Sequence, residues 1–217
     1  TPKIDIDPDW EMVELGEVCK VVRGSSPRPK GDRRYYGGDI PRLMVADITR
    51  DGMFTTPSID SLTPEGAEKS RPMKKGEVIL TVSGNPGLPT ILAVDACIHD
   101  GFAGFRELSP NIQPKFLYFV LLHFKEANGN LSVGAVFQNL NTDQIKRFKI
   151  PVPQLETQRQ IVAQIEKEQK LVNANKQLIE IFEQKIKDRI AKIWGVAKTE
   201  EENLSLAAEP EAVYEKA

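Results

Sequence analysis

The chain has 217 residues, 40% of them hydrophobic and 28% charged, with a formal net charge of −2, and it is long enough to bury a real core. That composition excludes a disordered chain, a collagen-like fibre and a small disulfide scaffold. No apolar run approaches the roughly eighteen residues of a membrane span, and TPKIDIDPDW lacks the basic and apolar regions of a signal peptide, so a cytoplasmic location is expected.

In chain order, residues 14–19 read as a short helical turn running into an apolar strand over 18–22 that Gly24 ends. Residues 24–41 hold four glycines and three prolines, too many for an element interior, which predicts a long ordered loop or a binding arm. Strand-like stretches rich in Val, Ile and Phe follow at 42–46, 78–83, 91–94 and 102–108. Thr63-Pro64-Glu65-Gly66 has the signature of a capped helix start, with Pro64 at the first helical position. Pro114 opens another helix, whose Phe116, Leu117, Val120, Leu121 and Phe124 recur at three and four and which Asn128-Gly129-Asn130 stops. Thr142 is placed as the cap of a brief helix through Ile145 and Phe148, ended by Pro151 and Pro153.

From Leu155 to Trp194 there is no glycine or proline and helix formers dominate, which predicts a rod of about 60 Å. Ile165, Val172, Ile179, Ile186 and Ile193 recur every seven residues, all β-branched, as the a positions of a coiled coil prefer. The d positions are Ile161, Glu168, Asn175, Phe182 and Arg189, and Leu171, Leu178 and Ile190 broaden the stripe. So one-sided an apolar face calls for a partner helix; folding back on its own domain is the alternative. The predicted class is therefore α+β: a mixed α/β globular domain over residues 1–153, a long coiled-coil helix over 154–195, and an acidic flexible tail over 196–217.

Charge is unevenly spread. The last nineteen residues carry six glutamates against Lys216 alone, which leaves a positive balance on the rest. Between 20 and 42, Lys20, Arg23, Arg28, Lys30, Arg33, Arg34 and Arg42 face only Asp32 and Asp39. A cluster interleaved with Gly, Pro and two tyrosines suits phosphate neutralisation, and a solvated loop is the other reading. Arg and Lys here would hold phosphates, and Arg also matches guanine with two hydrogen bonds. Ser25 lies in the same arm, and Tyr35 and Tyr36 either pack on sugar and phosphate or plug the core. Ser83 and Asn85 follow a strand, and Gln138, Asn139 and Asn141 offer amides suited to adenine, although Asn in such turns is often structural.

Catalytic patterns are sparse. Asn85-Pro86-Gly87-Leu88 lacks the second proline and aromatic of amino-methyltransferases, and no Gly-rich cofactor fingerprint, phosphate loop, nucleophile elbow or metal-spaced carboxylate set is evident. Cys19 and Cys97 stand apart and read as reduced thiols, and with only His99 and His123 beside them neither a metal site nor a cofactor is expected. The chain reads as a binder, not an enzyme.

Several segments, in order, carry a resemblance: Trp10 with Leu15-Gly16-Glu17-Val18-Cys19; Arg23-Gly24-Ser25-Ser26-Pro27; Gly38-Asp39-Ile40-Pro41; Lys75-Gly76-Glu77-Val78-Ile79; Pro114-Lys115-Phe116-Leu117-Tyr118; Leu140-Asn141; and Ile150-Pro151-Val152-Pro153-Gln154-Leu155-Glu156-Thr157-Gln158-Arg159-Gln160-Ile161-Val162. In these the chain resembles the DNA-specificity subunit of type I restriction–modification systems, from about Trp10 to Trp194. The resemblance implies a target-recognition domain reading one half of a bipartite double-stranded DNA site. It also implies a helix that pairs antiparallel with another and docks the methyltransferase (modification) and restriction subunits. Such a subunit usually carries two domain–helix units and only one is found here, so a half-size subunit, a fragment, or part of a fused methyltransferase is expected, pairing as a homodimer or with a second specificity half. The alternative from a different class is a coiled-coil protein-interaction adaptor that does not bind DNA.

Overall fold

The computed structural model describes residues 4, 6–127 and 141–194. The chain divides into two compact units, Thr1–Glu166 and Lys167–Ala217. Among the described residues, eleven strands and six helices are formed, in the mixed α+β class expected.

The first unit is built on two sheets. One has five strands in the order β2 (Lys20–Arg23), β10 (Phe102–Arg106), β7 (Val78–Thr81), β8 (Pro89–Leu92) and β4 (Phe54–Thr55). Its neighbours are antiparallel except the β4–β8 edge. The other has four strands, β5 (Asp60–Leu62), β3 (Tyr36–Leu43), β9 (Ala96–Ile98) and β6 (Arg71–Met73), with β3 and β9 parallel. A ribbon of β1 (Met12–Glu14) and β11 (Lys149–Pro151) joins the beginning of the unit to the approach of the long helix.

Side-chain alternation explains why the five-stranded sheet is buried on both faces. Val78, Leu80, Ile91, Ala103 and Phe105 point into the larger core, together with Phe116, Leu117, Val120 and Leu121 of helix α4 (Pro114–Ala127). Their sequence neighbours Ile79, Leu92 and Phe102 point the other way, into a second core with Leu43, Met73, Ala96 and Ile98 from the four-stranded sheet. Gly104 leaves room for Met73 of the facing sheet: a Cβ there would lie 2.4 Å from the Met73 methyl carbon.

The short helices are set by local chemistry. Helix α1 (Leu15–Val18) follows β1 directly and buries Leu15. Helix α3 (Pro64–Glu68) has Thr63 Oγ1 accepting from Gly66 N, as its opening residues predict. Helix α2 (Val45–Asp51) occupies part of the expected 42–46 strand, because Asp47 accepts from Met44 N and turns the chain into a helix. In α5 (Thr142–Lys146) the cap is Asn141, one residue before the expected Thr142: its Oδ1 accepts from Gln144 N while Gln144 Oε1 accepts from Asn141 N. The expected stop at 128–130 lies outside the described residues.

Helix α6 spans Leu155–Trp194, as expected. Its first three turns belong to the first unit: Val162 and Ile165 are buried in the larger core and Ile161 packs against it. This corrects the expectation that Ile161 and Ile165 lie on a partner seam, since the domain's own core covers them. The amide of fully buried Gln158 is satisfied by backbone groups, accepting from Gln113 N and donating to the carbonyls of Asn111 and Pro153. Lys115 Nζ reaches Glu166 at 2.5 Å across the same region.

Candidate nucleic-acid interface

The segment between β2 and β3 is an ordered arm pinned at its root. Gly24 N donates to the Phe102 carbonyl, and a Cβ on Gly24 would sit 1.9 Å from the His99 carbonyl oxygen, so only glycine fits. Ser25 N donates to Ile98 O, Ser25 Oγ donates to Lys69 O, and Ser70 Oγ donates back to Ser25 O. Ser25 is therefore an anchor of the arm.

A polar cluster lies beneath that root. Arg42 on β3 keeps only 7% of its side chain exposed, pairs through Nη1 with Asp60 Oδ2, and donates from Nη2 to Ser26 Oγ at 3.2 Å. Ser26 Oγ in turn donates to Asp100 Oδ1 at 2.5 Å. The Arg42 guanidinium sits 5.4 Å from the centre of the Tyr36 ring, whose hydroxyl donates to the Pro27 carbonyl. Arg42 Nε is buried with no hydrogen-bond partner among the described residues. The expectation of a DNA contact at Arg42 is thus corrected: its charge is enclosed and matched to a carboxylate, and what it holds is the arm.

Tyr35 takes the core-plugging alternative. It is buried, its carbonyl accepts from Thr63 N, and Arg34 and Lys69 flank its ring at 5.2 and 5.3 Å. Arg34 is exposed but forked onto Asp32, with Nη2–Oδ2 at 2.7 Å. That hydrogen bond holds the Asp32 carboxyl below the usual carboxylate range, and it raises the Arg34 guanidinium further. Arg28, Lys30 and Arg33 are exposed and make no ion pair among the described residues. Arg23 is half-buried and donates from Nε to the Asp100 carbonyl at 2.7 Å; desolvation lowers its pKa, partly offset by the Asp100 charge.

The turn His99-Asp100-Gly101 links these parts, and nothing in its composition singles it out in the sequence. His99 Nδ1 accepts from Gly101 N, its ring lies tilted against that of Phe102 with centres 4.4 Å apart, and burial together with nearby Arg42 pushes the imidazole down to about 4. Asp100 is exposed, and the Ser26 hydroxyl holds its carboxyl below the ordinary value. Ser83 reaches the same turn: a Cβ on Gly101 would lie 2.7 Å from Ser83 Oγ. Arg23, Ser26 and Ser83, scattered in sequence, therefore meet at one turn, and Arg42 reaches it through Ser26.

Other candidates lie elsewhere. Asn85 Oδ1 accepts from Lys125 Nζ, and its carbonyl accepts from Thr81 Oγ1, which closes the turn after β7. Asn141 is an exposed helix cap, and Gln138 and Asn139 lie outside the described residues. On α6, Val172, Asn175, Ile179, Phe182, Ile186 and Ile193 are all exposed. Among the described residues there is no group of three or more His, Cys, Asp or Glu placed to hold a metal, and no helix long and apolar enough to cross a membrane.

A family model described as the type I restriction modification DNA specificity domain matches residues 8–184, taking in the arm, both sheets and most of α6. The chain belongs to this family. Among its relatives, a Methanocaldococcus jannaschii protein assigned as the type I restriction enzyme MjaX specificity subunit is 28% identical over 87% of this chain and 41% of its own length. The type I restriction enzyme MjaVIII specificity subunit of the same organism is 22% identical over 93% of this chain and 49% of its own. The crystal structure of the HsdS subunit from Thermoanaerobacter tengcongensis superposes with a TM-score of 0.62 at 27% identity, covering 82% of this chain and 41% of that one. A chain from a structure on complex assembly and conformational transition of the type I R-M system gives 0.66 at 25% identity, with 86% and 45% covered. This specificity domain thus spans less than half the length of the relatives it matches, as a single domain–helix unit does.

Within the specificity domain, two of the segments that carry the sequence resemblance coincide with structural anchors. Arg23-Gly24-Ser25-Ser26 is the root of the arm, and Leu155-Glu156-Thr157-Gln158 carries the buried amide that ties α6 to residues 111–113.

Proposed function

We propose that this specificity domain binds double-stranded DNA in a sequence-specific manner, as one half of a type I specificity subunit, and has no catalytic activity of its own. The single observation that carries the reading is the family match, which runs unbroken through the globular unit and into α6. The arm supports it physically: its root is locked to the sheets while Arg28, Lys30 and Arg33 stand exposed, as cations that neutralise phosphates must. A solvated loop of the adaptor alternative has no need of an anchor built from Ser25, Ser26 and a buried Arg42.

The partners follow from the same reading. The exposed stripe of α6 takes a second helix, from a second copy of this chain or a second specificity half, and the assembly docks methyltransferase and restriction subunits. A homodimer would select an inverted repeat with a fixed spacer, because two-fold symmetry relates its reading heads.

Selection from a random duplex pool at moderate salt tests the function. A recovered consensus is expected, and retention independent of sequence would favour the adaptor. DNA methylation is expected only after a cognate modification subunit is added; turnover by the chain alone, with S-adenosylmethionine, ATP and magnesium, would overturn the non-catalytic reading.

A further inference from the structure

We infer that Asp100 is a specificity-determining residue that reads cytosine in the major groove, and that Ser26 is its positioning residue. The inference rests on the DNA-binding reading above. Asp100 keeps 62% of its side chain exposed at the root of the arm, beside Arg23 and within the field of Arg28. A carboxylate there is repelled by every phosphate the arm attracts, so its favourable place in a complex is against a base edge that donates. One oxygen, Oδ1, is held by the Ser26 hydroxyl at 2.5 Å, which leaves Oδ2 as the acceptor presented.

An ionised carboxylate accepts and never donates. Cytosine offers its N4 amino group in the major groove, guanine offers two acceptors, and thymine an acceptor and a methyl group. Adenine pairs its N6 donor with the N7 lone pair, which repels the carboxylate, so cytosine is the matched base. The turn is held at three points: Gly24 lies flush on the His99 carbonyl, His99 Nδ1 accepts from Gly101 N, and Arg23 Nε donates to the Asp100 carbonyl.

The test selects binding sites for the full chain from a random duplex pool with constant flanks, using wild type, Asp100→Asn and Ser26→Ala. The wild-type consensus is expected to contain one C·G pair at which Asp100→Asn becomes degenerate or shifts toward adenine. Competition between duplexes differing only at that pair should show roughly tenfold loss of discrimination. Ser26→Ala should lose part of the preference at the same pair and none elsewhere. Asp100→Glu keeps the charge and is expected to retain affinity for the pool while changing preference at that pair alone. An unchanged consensus for Asp100→Asn would overturn the assignment, as would an equal loss of affinity for all sequences, which would make Asp100 only a support of the arm. A wild-type chain that selects no consensus would instead sink the DNA-binding reading itself.

Discussion

Gln158 and Asn111, forty-seven positions apart, are joined by a buried hydrogen bond from the Gln158 side-chain amide to the Asn111 carbonyl at 2.7 Å. With the bonds to Gln113 N and Pro153 O, one side chain satisfies three backbone groups that the start of α6 takes out of water. Gln158→Leu strands all three, and a loss of about 2–4 kcal/mol in unfolding free energy is expected from urea titration. A loss below half a kcal/mol would show that water replaces the amide.

The pair beneath the arm makes a second case. Removing Arg42 leaves Asp60 partly buried and unmatched and frees Ser26, so Arg42→Ala should cost roughly 3 kcal/mol, at the low end for buried pairs because Asp60 retains 28% exposure. The double variant Arg42→Met with Asp60→Leu should recover part of that loss. DNA affinity should fall in both, because the Ser26 contact goes with Arg42.

Phosphate contacts should concentrate on the exposed cations of the arm that make no ion pair among the described residues. Replacing Arg28, Lys30 or Arg33 singly by Ala should weaken binding to all sequences and flatten the salt dependence by about one unit of slope each. Arg34→Ala should do less, because Asp32 already matches that charge. Equal slopes for wild type and the triple variant would remove the arm from the interface.

His99 predicts a pH dependence. Its folded value of about 4 lies below the ordinary 6.5, so between these values the unfolded chain binds the proton and the folded chain does not. The stability it contributes is present above about pH 6.5 and is lost as pH falls toward 4, up to roughly 3 kcal/mol. His99→Gln should flatten the unfolding free energy across that window, and an unchanged slope would show the imidazole already charged in the fold.

The exposed apolar stripe of α6 begins later than its seven-residue repeat implies. With Ile165 buried in the first unit, the exposed stripe runs from Leu171 to Trp194, and its middle lies near Phe182. Ile179→Asp with Ile186→Asp should give monomers by light scattering, with helicity retained by circular dichroism. A wild-type monomer at tens of micromolar would favour a second specificity half as the natural partner.

Elements with internal periodicity were legible in the sequence: α4 from Phe116 to Phe124, the rod of α6, and the apolar strands β7 and β10. The strands β5, β6 and β9 were not, because three residues carry no period and their pairing is decided by distant partners. Helix α2 was hidden because Asp47, its stabilising acceptor, reads as an ordinary charge. Ile161 and Ile165 show the limit of a stripe, which states that a face is apolar and is silent on what covers it. In the arm, the charges were legible but their mates were not: Asp60 lies eighteen positions from Arg42, and only the register of β3 with β5 brings them together.

The arm's attachments run largely to backbone carbonyls and amides at its root, whereas the side chains of Arg28, Lys30 and Arg33 are exposed. Substitutions at such exposed tips usually change stability by less than about half a kcal/mol. The chemistry that meets a ligand can therefore drift while the scaffold stays intact. A lineage carrying this domain can retune how tightly it holds any duplex by point changes at the tips, without passing through unfolded intermediates and without altering the turn that carries Asp100.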